Sequence, residues 1–142
     1  MSKLYKQYVS LKVKDSSKMY LFKCGIFYIF LDEDARIMSK FLDLKLTNLN
    51  SVVVKCAFPV DYSKKYFNLL KNSNYNIEVV YLLEDNYACY NINEFLLFQN
   101  YNKIVENFLK VKIDNLSISQ AFDLLNNLQK KFKEVKNEQT KQ

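Results

Sequence analysis

Histidine and tryptophan are absent from this chain of 142 residues, and glycine, proline and arginine occur once each, as Gly25, Pro59 and Arg36. One glycine cannot build a GxxxxGK[ST] phosphate loop or a GxGxxG dinucleotide turn, because both need several glycines for close backbone approach. Without histidine the chain lacks the commonest general base and the commonest zinc ligand. Scattered carboxylates, such as Asp32-Glu33-Asp34 and Glu84-Asp85, have no nucleophile or metal-like spacing beside them. The expectation is therefore no enzyme, with catalytic residues none, cofactors none and metal ligands none. Cys24, Cys56 and Cys89 form no CxxC pair and read as reduced, buried thiols. Apolar runs such as GIFYIFL are far shorter than the roughly 18 residues of a membrane span. The start, MSKLYKQYVSLKVKD, has charges where a leader needs an apolar core, so no membrane and a cytoplasmic location are expected.

Hydrophobic residues are plentiful at 49%, with 15% aromatic, enough to bury a substantial core. The net charge of +6 comes almost wholly from lysine, an excess that AT-rich coding also produces. Residues 1–23 hold six lysines against one acid, and residues 130–142 hold five against two. A local positive field of this kind favours polyanions.

Leu4, Tyr8 and Leu11 recur at helical spacing and predict an amphipathic helix from Ser2 to about Lys14, ended by Asp15-Ser16-Ser17. Met19 to Gly25 and Ile26–Leu31 predict two strands joined by a turn. The acidic triplet 32–34 opens a helix that should bury Ala35, Ile37, Met38, Phe41 and Leu42. Short strands follow at Leu44–Thr47 and Ser51–Phe58. A helix capped by Asp61 or Ser63 should bury Tyr66, Phe67, Leu69 and Leu70, and a strand covers Ile77–Leu83. Together they define the fold class: α/β, a mixed β-sheet flanked by helices over residues 1–85. A helical extension follows over 86–142: a helix from about Asn93 to Val111, then a second helix capped by Ser117. Its stripe of Ile118, Ala121, Phe122, Leu124, Leu125, Leu128 and Phe132 is apolar, and a frayed tail begins near 136.

The words inside this pattern resemble the N-terminal mismatch-recognition domain, domain I, of the bacterial MutS family, over about residues 3–82. Gln7, Tyr8, Leu11 and Lys12 match its opening QY-x-x-LK helix. Gly25, Phe27 and Tyr28 fall on its GDFYE word, and Asp34, Ala35, Phe41, Leu42, Asp43, Leu46 and Thr47 continue in register. Pro59 falls on the GIP proline. In that family the GDFYE phenylalanine is a wedge inserted at a mispaired base, and the glutamate two residues on bonds the displaced base. By register Phe27 is the wedge and Gly25 makes its turn; an aromatic of the strand core is the other reading of Phe27. Ile29 stands at the glutamate and Ile26 at the aspartate, and Asn48-Leu49 stand where the family is basic. The base-bonding half of the mechanism is thus absent.

The resemblance implies DNA-binding by Phe27, Tyr28, Lys3, Lys6, Lys12, Lys14 and Lys23, on duplex or mismatched DNA and without an ATPase. The last helix is similar to the C-terminal end of MutS, which implies a homodimer through the C-terminal helices. The alternative is a protein–protein interaction module that keeps the fold and recruits a protein partner.

Overall fold

The structure is a computed structural model and describes residues 2–140. The chain forms two compact units, Met1–Ile92 and Asn93–Gln142. The first unit is built on one six-stranded mixed sheet, which agrees with the expected α/β class.

Helix α1 (Lys3–Lys14) starts where the Ser2 hydroxyl accepts a hydrogen bond from the Tyr5 amide at 3.1 Å, a cap of about 1 kcal/mol. Strands β1 (Met19–Cys24) and β2 (Phe27–Leu31) form a hairpin, and α2 (Asp32–Phe41) follows directly. Then come β3 (Thr47–Asn48), β4 (Val54–Pro59), a 3-10 turn (Val60–Tyr62), α3 (Lys64–Lys71), β5 (Ile77–Leu82) and β6 (Tyr87–Asn91). The strand order is β3-β4-β2-β1-β5-β6, with β1 parallel to β5 and all other pairs antiparallel.

Period-two alternation gives the sheet two apolar faces. Tyr20, Phe22, Ile29, Leu31 and Val80 join Tyr8 and Leu11 of α1 in one buried cluster. On the other face the rings of Tyr28, Phe58 and Phe67 meet, with Tyr28 4.9 Å edge-on to Phe67 of α3. This geometry is the favourable T-shaped arrangement.

Several expectations are corrected here. Ile37, Phe41 and Leu69 are exposed, Phe41 lying edge-on to Tyr75; their helices bury narrower stripes than the apolar residues suggest. The strand expected at 44–47 shrinks to Thr47–Asn48, and the one expected from Ser51 begins at Val54. The cause is a turn in which the Asn50 side-chain oxygen accepts from both the Val52 and Val53 amides at 2.9 Å. Ser63 precedes α3 but donates its hydroxyl to the Val60 carbonyl instead of capping. Strand β6 pairs with β5 and carries the sheet past residue 85. Cys56 is buried as expected, whereas Cys89 is exposed.

In the second unit, α4 (Ile92–Leu109) leads through a 3-10 turn (Ile113–Asn115) to α5 (Ile118–Thr140). Ser117 and Gln120 form a reciprocal capping box, each side chain accepting from the other's amide at 3.1 and 2.9 Å. The ring of Tyr101 on α4 meets that of Phe132 on α5 at 5.9 Å between centroids, tilted by 31°. The expected apolar stripe divides in two: Ala121, Leu124 and Leu128 are half-buried, while Ile118, Phe122 and Leu125 are exposed. α5 continues through Thr140, beyond the fraying expected near 136; residues 141–142 lie outside the described residues.

Candidate nucleic-acid interface

The β1–β2 turn contains two residues, since Cys24 pairs with Phe27. Gly25 has φ +58°, and Ile26 is not among the positive-φ residues, the pattern of a turn with glycine at its first central position. Both turn carbonyls accept hydrogen bonds. The Lys23 ammonium donates to Gly25, and the Val60 amide donates to Ile26 at 2.8 Å. Strand β2 is interior, with Phe27 opposite Cys24 on one side and Pro59 on the other. A turn held this way has little freedom to retreat when pushed.

At its tip Ile26 is 71% and Phe27 40% exposed. Phe27 is therefore at the surface, not in the strand core. Alternation places it on the sheet face shared with Ile29 and α1. Tyr28 is corrected: at 1% exposure it lies between Phe58 and Phe67 and offers no surface to a ligand. Ile29, at the family's glutamate position, is 8% exposed inside the cluster under α1.

The five candidate lysines do not form one patch around Phe27. Lys12 is turned inward: its ammonium pairs at 2.8 Å with Asp34, whose side chain is 2% exposed, and donates to the Lys18 carbonyl at 2.8 Å. The other carboxylate oxygen of Asp34 accepts from the Tyr20 amide at 3.0 Å. Asp34 thus ties α1 to the start of β1, a role beyond the helix-opening one expected of the triplet. Burial raises the Asp34 carboxyl above its usual range, opposed by Lys12 and the Tyr20 amide. Lys3 donates to the Glu84 carbonyl and Lys14 to the Tyr87 hydroxyl, both at 2.8 Å, directing both toward the β5–β6 turn. Lys6 is exposed on α1. Lys23 alone of the five adjoins the turn.

Strand register brings other residues to this end of the sheet. Because Val60 bonds Ile26, the exposed Asp61 and Tyr62 follow directly after the tip. Lys64 and Lys65 open α3 on the sheet face opposite Phe27, with the Lys65 ammonium 4.8 Å over the Tyr66 ring. Since Lys23 pairs with Tyr81, the β5–β6 turn with Glu84 and Asp85 lies at the same end. The sequence reading missed Ile26, Tyr62, Lys64 and Lys65. The in-register pairing of Pro59 with Phe27 was the signal, and no local pattern reports it. Burial pushes the Cys56 thiol up to about 12 and also raises Cys24, so neither is an activated nucleophile. Among the described residues no helix is long and apolar enough to cross a membrane.

Fold and tip define a class: a mixed α/β domain presenting a pinned apolar hairpin at one sheet end. A family model described as MutS domain I matches residues 2–111, and the chain belongs to that family. It is 33% identical over 86 residues to the DNA mismatch repair protein MutS of Clostridium tetani, covering 58% of this chain and 10% of that protein. Against the protein of the same name from Leptospira interrogans it is 30% identical over 76 residues, 54% of this chain and 9% of that one. The chain thus spans about a tenth of the length of these relatives.

Proposed function

We propose that this domain binds duplex DNA at mispaired or distorted steps, inserting Phe27 from the minor groove, with no ATPase activity of its own. The observation that carries the reading is the pinned turn with Phe27 at its exposed end. An apolar wedge must be rigid and solvent-facing to open a base step, and weakened steps are the cheapest to open. Family membership supports the same ligand. Lys23 beside the tip, Lys6 on α1, and Lys64 and Lys65 at the start of α3 supply phosphate contacts. With so few cations the affinity is about micromolar and falls steeply with salt. The reading places the protein with DNA in the cytoplasm.

A gel shift at ~50 mM salt tests it, comparing homoduplex, G·T and one-base-loop DNA with wild type and Phe27→Ala. The expected result is retardation that Phe27→Ala weakens. No retardation of any duplex refutes it.

A second reading, an interaction module, is favoured by Ile118, Phe122 and Leu125, exposed at spacings of four and three on α5. On this reading the domain keeps its fold without mismatch recognition, and the α5 stripe binds a protein, with a second copy of the chain as the partner tested. Sedimentation of wild type against Phe122→Asp and Leu125→Asp checks it, since both side chains are exposed and their replacement leaves the fold intact.

A further inference from the structure

The geometry points to Ile26 as a second inserting side chain, and to a duplex lacking a base, an abasic site, as the distortion this tip fits. The inference rests on the DNA reading above and narrows its ligand.

Ile26 is the more exposed of the two tip residues, and the Val60 amide holds its carbonyl. Ile26 in the fixed turn and Phe27 at the start of β2 are therefore adjacent exposed apolar residues. Isoleucine and phenylalanine are both side chains that proteins wedge between base steps. A mispair still fills its place in the stack with two bases. To use both side chains there, the tip must displace those bases, and displaced bases need polar partners. An abasic site already has an empty, apolar space in the stack, and the wedge fills it without displacing anything.

The polar groups at the tip agree with such a ligand. Reading a base requires side-chain donors or acceptors at its edge. Both turn carbonyls are already bonded, Ile29 has no polar atom and is buried, and the Tyr28 hydroxyl is buried with its ring. Asp61, next after Val60, is the nearest residue in register with a carboxylate. Glu84 and Asp85 of the β5–β6 turn lie at the same end, so phosphate contact beside a gap falls first to Lys23, which adjoins the turn, and then to Lys64 and Lys65 at the start of α3.

Fluorescence anisotropy with the full chain tests this, using duplexes that carry a stable abasic analogue opposite each of the four bases. G·T, one-base-loop and fully paired duplexes are the comparison ligands. The abasic duplexes are expected to bind about tenfold tighter than the paired duplex, the value of one stacking contact. The four opposing bases should differ by less than about threefold, well inside the range of direct readout. Ile26→Ala should remove most of the abasic preference while leaving the thermal midpoint unchanged. G·T or loop DNA bound as tightly as abasic DNA overturns the inference. So does an unchanged Ile26→Ala, or a preference among opposing bases that Asp61→Asn abolishes. Each of these leaves the DNA reading standing, whereas no binding to any duplex overturns that reading too.

Discussion

Replacing Asp34 by alanine removes two interactions at once, the 2.8 Å pair with Lys12 and the 3.0 Å acceptor for the Tyr20 amide. The two losses are unequal. Lys12 retains 23% side-chain exposure and the Lys18 carbonyl, so its ammonium rehydrates at small cost. The Tyr20 amide, at the start of β1 in a residue 3% exposed, loses its acceptor with little access to water. An unsatisfied buried donor costs about 1–3 kcal/mol and the lost charge-assisted bond adds to it, giving about 2–4 kcal/mol in total. For a unit the size of Met1–Ile92, that is a fall of roughly 10–25 °C in melting midpoint. Circular dichroism melts and urea titrations read it directly. Asp34→Asn keeps an acceptor for Tyr20 and should cost less than half as much.

The pH dependence separates this account from simple loss of packing. Burial raises the folded carboxyl above its unfolded value, so the folded state holds this proton more tightly. Stability contributed at this site therefore falls as pH rises from the unfolded value, about 3.9, through the folded one. Lys12→Met removes the charge that opposes the shift, so its penalty should shrink as pH is lowered from 7 toward the unfolded value. A cost below about 1 kcal/mol for Asp34→Ala, under the range for an unsatisfied buried donor, refutes the reasoning. So does a Lys12→Met penalty independent of pH.

Gly25→Ala meets no atom within 4 Å of the added Cβ, so only the φ of +58° opposes it. The cost should be about 1–2 kcal/mol in urea unfolding, and Gly25→Asn should cost less. A thiol reagent on the native protein should modify the exposed Cys89 first, and Cys89→Ser should delete the fast phase; Cys56 should react only on unfolding. Ile29→Glu, which restores the family's carboxylate, buries it beside Phe22 and Val80 and should lower stability by several kcal/mol, more at pH 8 than at pH 5. A stable Ile29→Glu that gains G·T preference would contradict the burial of this site.

The α/β class and the hairpin were readable because they rest on local signals: helical spacing in α1, β-branched and aromatic runs in β1 and β2, and one glycine at the turn. β6 was not, because YACYN has no clean alternation and is specified by pairing with β5. A polar turn at Asn48-Leu49-Asn50 is legible in the sequence, but its reach to Val53 is not, since a side chain bonding two amides outweighs the β-propensity of Val52 and Val53. At the site, Gly25 and Phe27 were legible from their place in the family word. Tyr28 and Lys12 were misread because sequence shows charge and ring but not direction. Tyr28 follows the strand's alternation to the α3 face, and Lys12 is drawn in by a carboxylate 22 positions away.

The departures from the family word are one coupled change. At position 29 a carboxylate would need water or a donor beneath α1, and this chain instead has an apolar cluster closed by Tyr8, Leu11 and Ile29. Once that acceptor is absent, a displaced base has no partner at the tip. Ile26, at the position of the family's aspartate, leaves an apolar residue at the most exposed point of the turn. Exposure alone does not set Ile26 apart, since Val13 and Val52 are more exposed; the proposed abasic ligand rests on its place in a turn fixed at both carbonyls. The same turn has no side-chain acceptor for a base edge, and the abasic site proposed for it offers an unfilled space in place of one.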